Sequence, residues 1–364
     1  MSPYIITFIL SLFFSKIAER SKNKVLFYIF SIVSILLPAL LAGFRDDTIG
    51  TDINVYVVNI FNKALISHNI QDFFSDYTLE PIYGFLNYGI SRITSDLFGI
   101  LFAIELFILI NIYWALSNLK KHLSITFGLF LYYFILYNES LNLMRQTMAL
   151  SLCFLSFSFF ITNRKKAAII ALTLALCSHS TSTTFIIPLF LLYYIRKKQV
   201  VKLNSLIYIY VISLPMIFLL YDFILSYIMS IGLLSSKFEM YLSNNTSTVV
   251  STISIFTNII LLILSFYLYK KFSHTKNNYI PLYTLLNQYN VFITNLLGVI
   301  SIWASRLSLY FIILEFLLYP ILFHKNKFSS KLILIFIIIF TWYYKYAYKG
   351  FTETIPYASK ILNI

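Results

Sequence analysis

Charge is what this chain has least of. Only 12% of its 364 residues are charged, 59% are aliphatic, aromatic or cysteine, and the mean hydropathy is +0.80. A water-soluble globular domain carries about twice that share of charge, so that class is excluded. Glycine and proline are scarce as well, 9 and 8 residues, and no Pro/Gly/Ser linker, low-complexity tract or internal repeat interrupts the chain. One polytopic domain over residues 1–364 is therefore the simplest organisation. The strict apolar/polar alternation of barrel strands is missing too, which leaves helices. The 2 cysteines, Cys153 and Cys177, fall inside apolar runs, where thiols act as small hydrophobes and carry no redox message. The first apolar stretch has no preceding basic residue and no small-residue cleavage site, so it reads as mature structure rather than a signal peptide.

What is present is a series of apolar runs, such as Val25 to Phe44 and Leu203 to Tyr221, each long enough to cross the hydrocarbon. Basic clusters punctuate them at Lys16 to Lys24, Lys120 with Lys121, Arg164 to Lys166, Arg196 to Lys202, Lys270 to Lys276 and Lys325 to Lys331. These hold 19 of the 28 Lys and Arg and one acid, Glu19, of the 14 Asp and Glu. By the positive-inside rule they are cytoplasmic. The segments between them go out and return, predicting an all-α membrane protein of about twelve spans. The spans fall near 2–15, 25–44, 97–118, 123–138, 146–162, 167–179, 182–195, 203–221, 250–269, 280–302, 306–323 and 331–346, with both termini outside. The formal charge of +14 is spread over short loops, so it reads as a topology signal and an attraction to anionic headgroups, not as a nucleic-acid surface.

Two outside segments have substance, 45–96 and 222–249. In the first, the polar, glycine-bearing stretch from Gly43 to Asp52 reads as a tight loop at the membrane surface. Apolar residues then recur at Ile53, Tyr56, Val57, Ile60, Phe61, Ala64 and Leu65, the spacing of one helix face. A second amphipathic helix opens at Glu80-Pro81 and continues through Ile82, Phe85, Leu86, Gly89, Ile90 and Ile93. Asp52 and Glu80 each stand at a helix start, where a carboxylate either caps free N–H groups or faces a site beside the membrane. Asp46 with Asp47 is too small a ligand set to indicate a metal.

Polar residues at membrane depth mark the remaining candidates. The hairpin between Lys166 and Arg196 leaves about 14 residues per arm, roughly 21 Å of helix, so its turn from Ser178 to Thr184 is predicted to lie below the outer surface. His179 in that turn is either a hydrogen-bonded core residue or a general base. The preceding outer turn runs from Tyr137 to Gln146. If it is helical, Asn138, Asn142, Arg145 and Gln146 share a face, and Glu139 either pairs with Arg145 or works beside a hydroxyl. Arg306 opens the eleventh span. Arg45, Arg145 and Arg306 thus stand at the outer boundary on three spans, and guanidinium groups at headgroup level suit a lipid diphosphate.

The ordered set Arg45, Ile49-Gly50-Thr51-Asp52, Tyr56, Glu80-Pro81, Tyr83, Asn142, Arg145-Gln146, Ala149, His179-Ser180, Pro188, Arg306-Leu307, Tyr310-Phe311 and Pro356-Tyr357 resembles the EpsG-type proteins of bacterial surface polysaccharide synthesis, which overlap with Wzy-type O-antigen and capsule polymerases. Thr181-Ser182 after the histidine departs from that pattern, and Glu139 has no counterpart in it. The resemblance implies a GT-C-like glycosyltransferase of the bacterial cytoplasmic membrane, with its site facing outward. It implies transfer of a growing glycan from undecaprenyl diphosphate to the end sugar of a lipid-linked repeat unit. In that reading Arg45, Arg145 and Arg306 bind diphosphate, and His179, Asp52 or Glu139 supplies the base. Tyr56, Glu80, Asn142, Gln146 and Tyr310 line the substrate, and neither metal nor cofactor is required. Flippase and chain-length regulator proteins are the expected partners. A lipid-oligosaccharide flippase is the main rival, but it needs polar groups through the bundle and on both faces. A polysaccharide acyltransferase accounts for the histidine and leaves the arginines unexplained.

Overall fold

The computed structural model describes residues 1–75, 79–120, 123–198, 212, 252–272, 279–299, 302–323 and 328–364, and every regular element among them is helical. The predicted span at 203–221 and the loop at 222–249 lie outside the described residues. The helices are α1 Ser2–Arg20, α2 Lys24–Phe44, α3 Val58–Ile66, α4 Ile70–Ser75, α5 Pro81–Ser91, α6 Leu97–Asn118, α7 Ile125–Ile135, α8 Tyr137–Ser140, α9 Met144–Ile161, α10 Lys165–Ser178, α11 Ile186–Lys198, α12 Thr252–Phe272, α13 Tyr279–Leu297, α14 Ile302–Phe323 and α15 Phe328–Trp342. Short π-turns at Ile53–Val57 and Tyr343–Tyr348 lead into α3 and out of α15. Among the described residues, 5 helices are long and apolar enough to cross a membrane: α1, α2, α6, α9 and the stretch Ser254–Lys271 within α12.

The chain forms two compact units. The first is Met1–Thr183 with Tyr319–Ile364, and the second is Thr184–Leu318. In the first, α9 is the central helix, packed on α6 and α10. Between apolar helices in lipid there is little hydrophobic drive, so small residues and interhelical hydrogen bonds, averaging about 0.6 kcal/mol each, fix the register. Asn111 and Asn118 on α6 donate to Ser151 (3.3 Å) and Ser158 (2.9 Å) on α9. Both pairs are one heptad apart in the same sense, so α6 and α9 run parallel, as the alternation of basic loops requires.

Proline explains how α1 joins α2. Pro38 inside α2 has no N–H, which leaves the Ser34 carbonyl without its intrahelical donor. Ser11 of α1 fills the gap with a 2.7 Å bond to that oxygen, and Ser34 Oγ returns a 3.0 Å bond to the Ser11 carbonyl. Gly43 lets α6 close in, since a Cβ there would lie 2.8 Å from the Phe98 ring. Near the start of α1, Tyr4 donates to the Thr354 carbonyl at 2.7 Å, placing the first and last segments at one end of the bundle.

The amphipathic segments of 45–96 form as the periodicity predicts, with α4 as a short addition between them. Arg92, just past α5, donates to the carbonyls of Ala64, Leu65 and Ser67 and so closes the C-terminal end of α3. Helices α10 and α11 have 14 and 13 residues, close to the length of about 14 residues expected of each. Helix α10 ends at His179, whose extended backbone (φ −166°, ψ 131°) breaks the helix before a 3-10 turn at Ser180–Phe185.

Candidate functional site

The site is built around one carboxylate. Glu80 stands at the N-cap of α5, yet its side chain makes no cap hydrogen bond. Its Oε2 accepts from Arg145 Nη1 at 2.9 Å, and its Oε1 lies 2.7 Å from His179 Nδ1. Three elements therefore converge: the start of α5, the first turn of α9 and the end of α10. All three side chains keep contact with solvent, with exposures of 20%, 29% and 23% for Glu80, Arg145 and His179. Burial alone would raise the Glu80 carboxyl, but the His179 hydrogen bond and the Arg145 charge outweigh it and hold the group down at about 2.

Aromatic rings frame the cation. The Arg145 guanidinium carbon lies 5.4 Å from the Tyr56 ring centre and 5.7 Å from that of Tyr83. Tyr83 is buried, which pushes its hydroxyl up to about 12 even though Arg145 pulls it down. Its hydroxyl also senses the charges of Glu80 and Asp52, so Asp52 belongs to the same neighbourhood. Asp52 likewise makes no side-chain cap bond. The tight loop before it is held by Asn142, whose Oδ1 accepts from Thr51 Oγ1 (3.0 Å) and from the Asp52 backbone N–H (2.9 Å). Gly50 supplies the left-handed conformation this turn needs, with φ +97°.

The segment from Tyr137 to Arg145 does not form the single polar stripe expected of it. Helix α8 lasts one turn, Leu141 to Leu143 form a second turn, and α9 starts afresh at Met144. Its side chains accordingly radiate. Tyr137 donates to the Pro38 carbonyl (2.6 Å), which ties the segment to α2. Asn138 joins Thr354 (2.9 Å) to Trp342 (2.7 Å). Of the two alternatives for Glu139, the pair with Arg145 does not form: Glu139 is buried and binds Lys345 Nζ (2.5 Å) and Tyr346 Oη (3.1 Å), which ties it to the C-terminal segment. Ser140 donates to Glu105 (2.8 Å), which also accepts from Tyr132 (2.7 Å).

Arg45 is set apart as well. It is 5% exposed and donates to the Leu141 carbonyl at 3.0 Å, while its Nε has no partner among the described residues. Its Nη2 also lies 3.8 Å from the Met144 sulfur, so it braces the turn that carries Asn142. Gln146 is buried one residue beyond Arg145. Arg306, half-buried, and Tyr310, fully buried, lie on α14 within the second unit. Within that unit Asn287 of α13 donates to the Phe311 carbonyl of α14 at 2.9 Å. No group of three or more potential metal ligands occurs among the described residues.

Sequence reasoning assigned Glu80 to the substrate lining and missed its place between arginine and histidine. It also missed Tyr83 as the floor under Arg145, although the i, i+3 step from Glu80 puts the two on one side of α5. Lys345, the partner of Glu139, carried no local signal.

Five helices of membrane-crossing length point to a membrane protein, with a polar cluster where the start of α5 meets the first turn of α9 and the end of α10. The chain belongs to the EpsG family, whose sequence model matches residues 28–359. Membership points to a polysaccharide-polymerase-like role in membrane polysaccharide synthesis. No curated protein and no solved structure matches the chain.

Proposed function

We propose that this chain is a Wzy-type polymerase, transferring a growing glycan from undecaprenyl diphosphate to the terminal sugar of a lipid-linked repeat unit at the outer face of the bacterial cytoplasmic membrane. The observation that carries this reading is the Glu80 bridge, 2.7 Å from His179 Nδ1 and 2.9 Å from Arg145 Nη1. A carboxylate on Nδ1 fixes the imidazole tautomer and leaves Nε2 as a proton acceptor. The guanidinium beside it offers paired donors to a phosphate oxygen.

In the reaction, His179 Nε2 takes the proton of the acceptor hydroxyl. That oxygen forms the new glycosidic bond as the bond from the donor sugar to diphosphate breaks, and its electron pair leaves on the diphosphate. Arg145 meets the growing negative charge, an interaction stronger in the transition state than in the ground state. Tyr56 and Tyr83 hold the guanidinium plane, and Asp52 stands close enough to orient a sugar hydroxyl. Arg45 holds the Leu141 carbonyl ahead of Arg145, and Arg306 and Tyr310 are assigned to substrate on the family resemblance.

The test is the fate of the lipid-linked glycan in cells lacking the protein. A polymerase defect leaves single repeat units on the outer leaflet. Units held on the cytoplasmic leaflet would instead identify a flippase.

A further inference from the structure

The two oxygens of Glu80 answer to two different parts of the proposed chemistry, and this has a consequence within the polymerase reading, on which it rests. Oε1 holds the group that acts as base, and Oε2 holds the group that meets the diphosphate. A phosphate oxygen competes with Oε2 for the same guanidinium N–H groups, and with its higher charge density it draws Arg145 away. Glu80 then loses its nearest opposing cation, and more of its negative charge bears on the imidazole. Stronger negative charge at Nδ1–H favours the protonated ring.

We infer that Glu80 couples the two halves of the site: diphosphate binding at Arg145 releases this carboxylate to strengthen His179 as the base. Acceptor deprotonation then follows donor binding, and the unloaded site holds a weaker base. Atoms balance as in the transfer itself, since one proton passes from the acceptor hydroxyl to Nε2 and the electron pair of the broken bond leaves on the diphosphate.

The titratable and charged groups around the pair are Arg145 from α9, Tyr83 from α5, and Tyr56 and Asp52 from the segment leading into α3. Cys177 is the titratable neighbour on α10 itself. Tyr83 stays neutral through the working pH range, and of the remaining groups Arg145 is the one a diphosphate engages directly. The partial exposure of all three bridge members gives that ligand room to enter.

The test uses full-length protein in lipid nanodiscs with inorganic pyrophosphate as the probe. Histidine carbons are isotope-labelled, and the His179 resonance is assigned by its loss in His179→Gln. Pyrophosphate should bind, and Arg145→Ala should abolish the binding. In the wild type it should raise the imidazole titration midpoint by about one pH unit. In Glu80→Gln it should still bind, with the rise cut to less than half. An equal rise in Glu80→Gln assigns the effect to the direct field of the anion and overturns the coupling, while the polymerase reading stands. Wild-type protein that binds no pyrophosphate at all overturns both. Should Glu80→Gln fail to fold, Glu80→Asp keeps the charge on a shorter arm. It should then show a reduced rise, and an undiminished one rejects the coupling.

Discussion

Two carboxylates, Glu139 within the segment from Tyr137 to Arg145 and Glu80 bonded to its last residue, are treated in opposite ways. Glu139 keeps 6% of its side chain exposed and is locked to Lys345 and Tyr346, whereas Glu80 keeps 20% and shares its oxygens between Arg145 and His179. Glu139 is the enclosed member of its pair and takes a second donor from the buried Tyr346, so its contacts act as a fastener. A partly exposed pair is open to solvent and to a competing ligand, so it serves as a working contact. Structure and chemistry are thus separated by burial, although Glu139 and Arg145 are only six residues apart.

The largest effect should come from breaking that comparison at both ends. Arg145→Ala is expected to lower polymer synthesis by at least about a hundredfold, the usual loss when a donor to a developing charge is removed, with protein abundance unchanged. Glu139→Ala should do the reverse, removing a buried carboxylate with its bonds to Tyr346 and to the partly exposed Lys345, at a cost of about 1–2 kcal/mol of stability. Membrane-fraction immunoblots read beside polymer gels separate the two outcomes. Normal abundance with no polymer in Glu139→Ala would move this residue from fastener to catalyst.

Next in size is the acid sensitivity of the working pair. The Glu80 carboxyl is depressed from 4.5 to about 2, so its contribution is fully present above about 4.5 and is lost as pH falls toward 2. The shift corresponds to roughly 3 kcal/mol, an upper figure for a group in contact with solvent. The melting temperature of wild type should exceed that of Glu80→Gln at pH 6, and the gap should narrow steadily below pH 4.5. A gap that widens on acidification would mean the carboxylate is not held in its charged form by Arg145 and His179.

How much of this was legible beforehand follows from what each feature depends on. Apolar runs, basic punctuation and the short arms of α10 and α11 depend on local composition, and the sequence reading located them closely. The same holds for the amphipathic repeat from Ile53 and for His179 at a helix end. The pairing of Glu80 with residues 65 and 99 positions away depends on how helices dock, to which no periodicity speaks. The turn between Tyr137 and Gln146 was legible from the apolar runs on either side, but the partners of Asn138 and Glu139 lie more than 200 residues on and carried no local signal. Glu105 is the feature most nearly missed without excuse, since an acid in the middle of an apolar run is itself a signal.

The smallest expected effect concerns the loop that links the two regions. Gly50 has φ +97°, and a Cβ there would lie 3.3 Å from the Leu141 carbonyl oxygen, the same atom that receives Arg45. Gly50→Ala must therefore strain the backbone and press on the turn, at a cost of about 1–2 kcal/mol. Because Asn142 grips the next two residues, the loop should shift rather than detach, lowering polymer yield only a few-fold. Gly89 in α5 is the matched control: a Cβ there meets nothing within 4 Å, and alanine favours a helix interior over glycine by about 1 kcal/mol. Gly89→Ala should leave synthesis intact and raise the melting temperature slightly. Equal behaviour of the two variants would remove the loop's conformation from the account of how Asp52 is positioned.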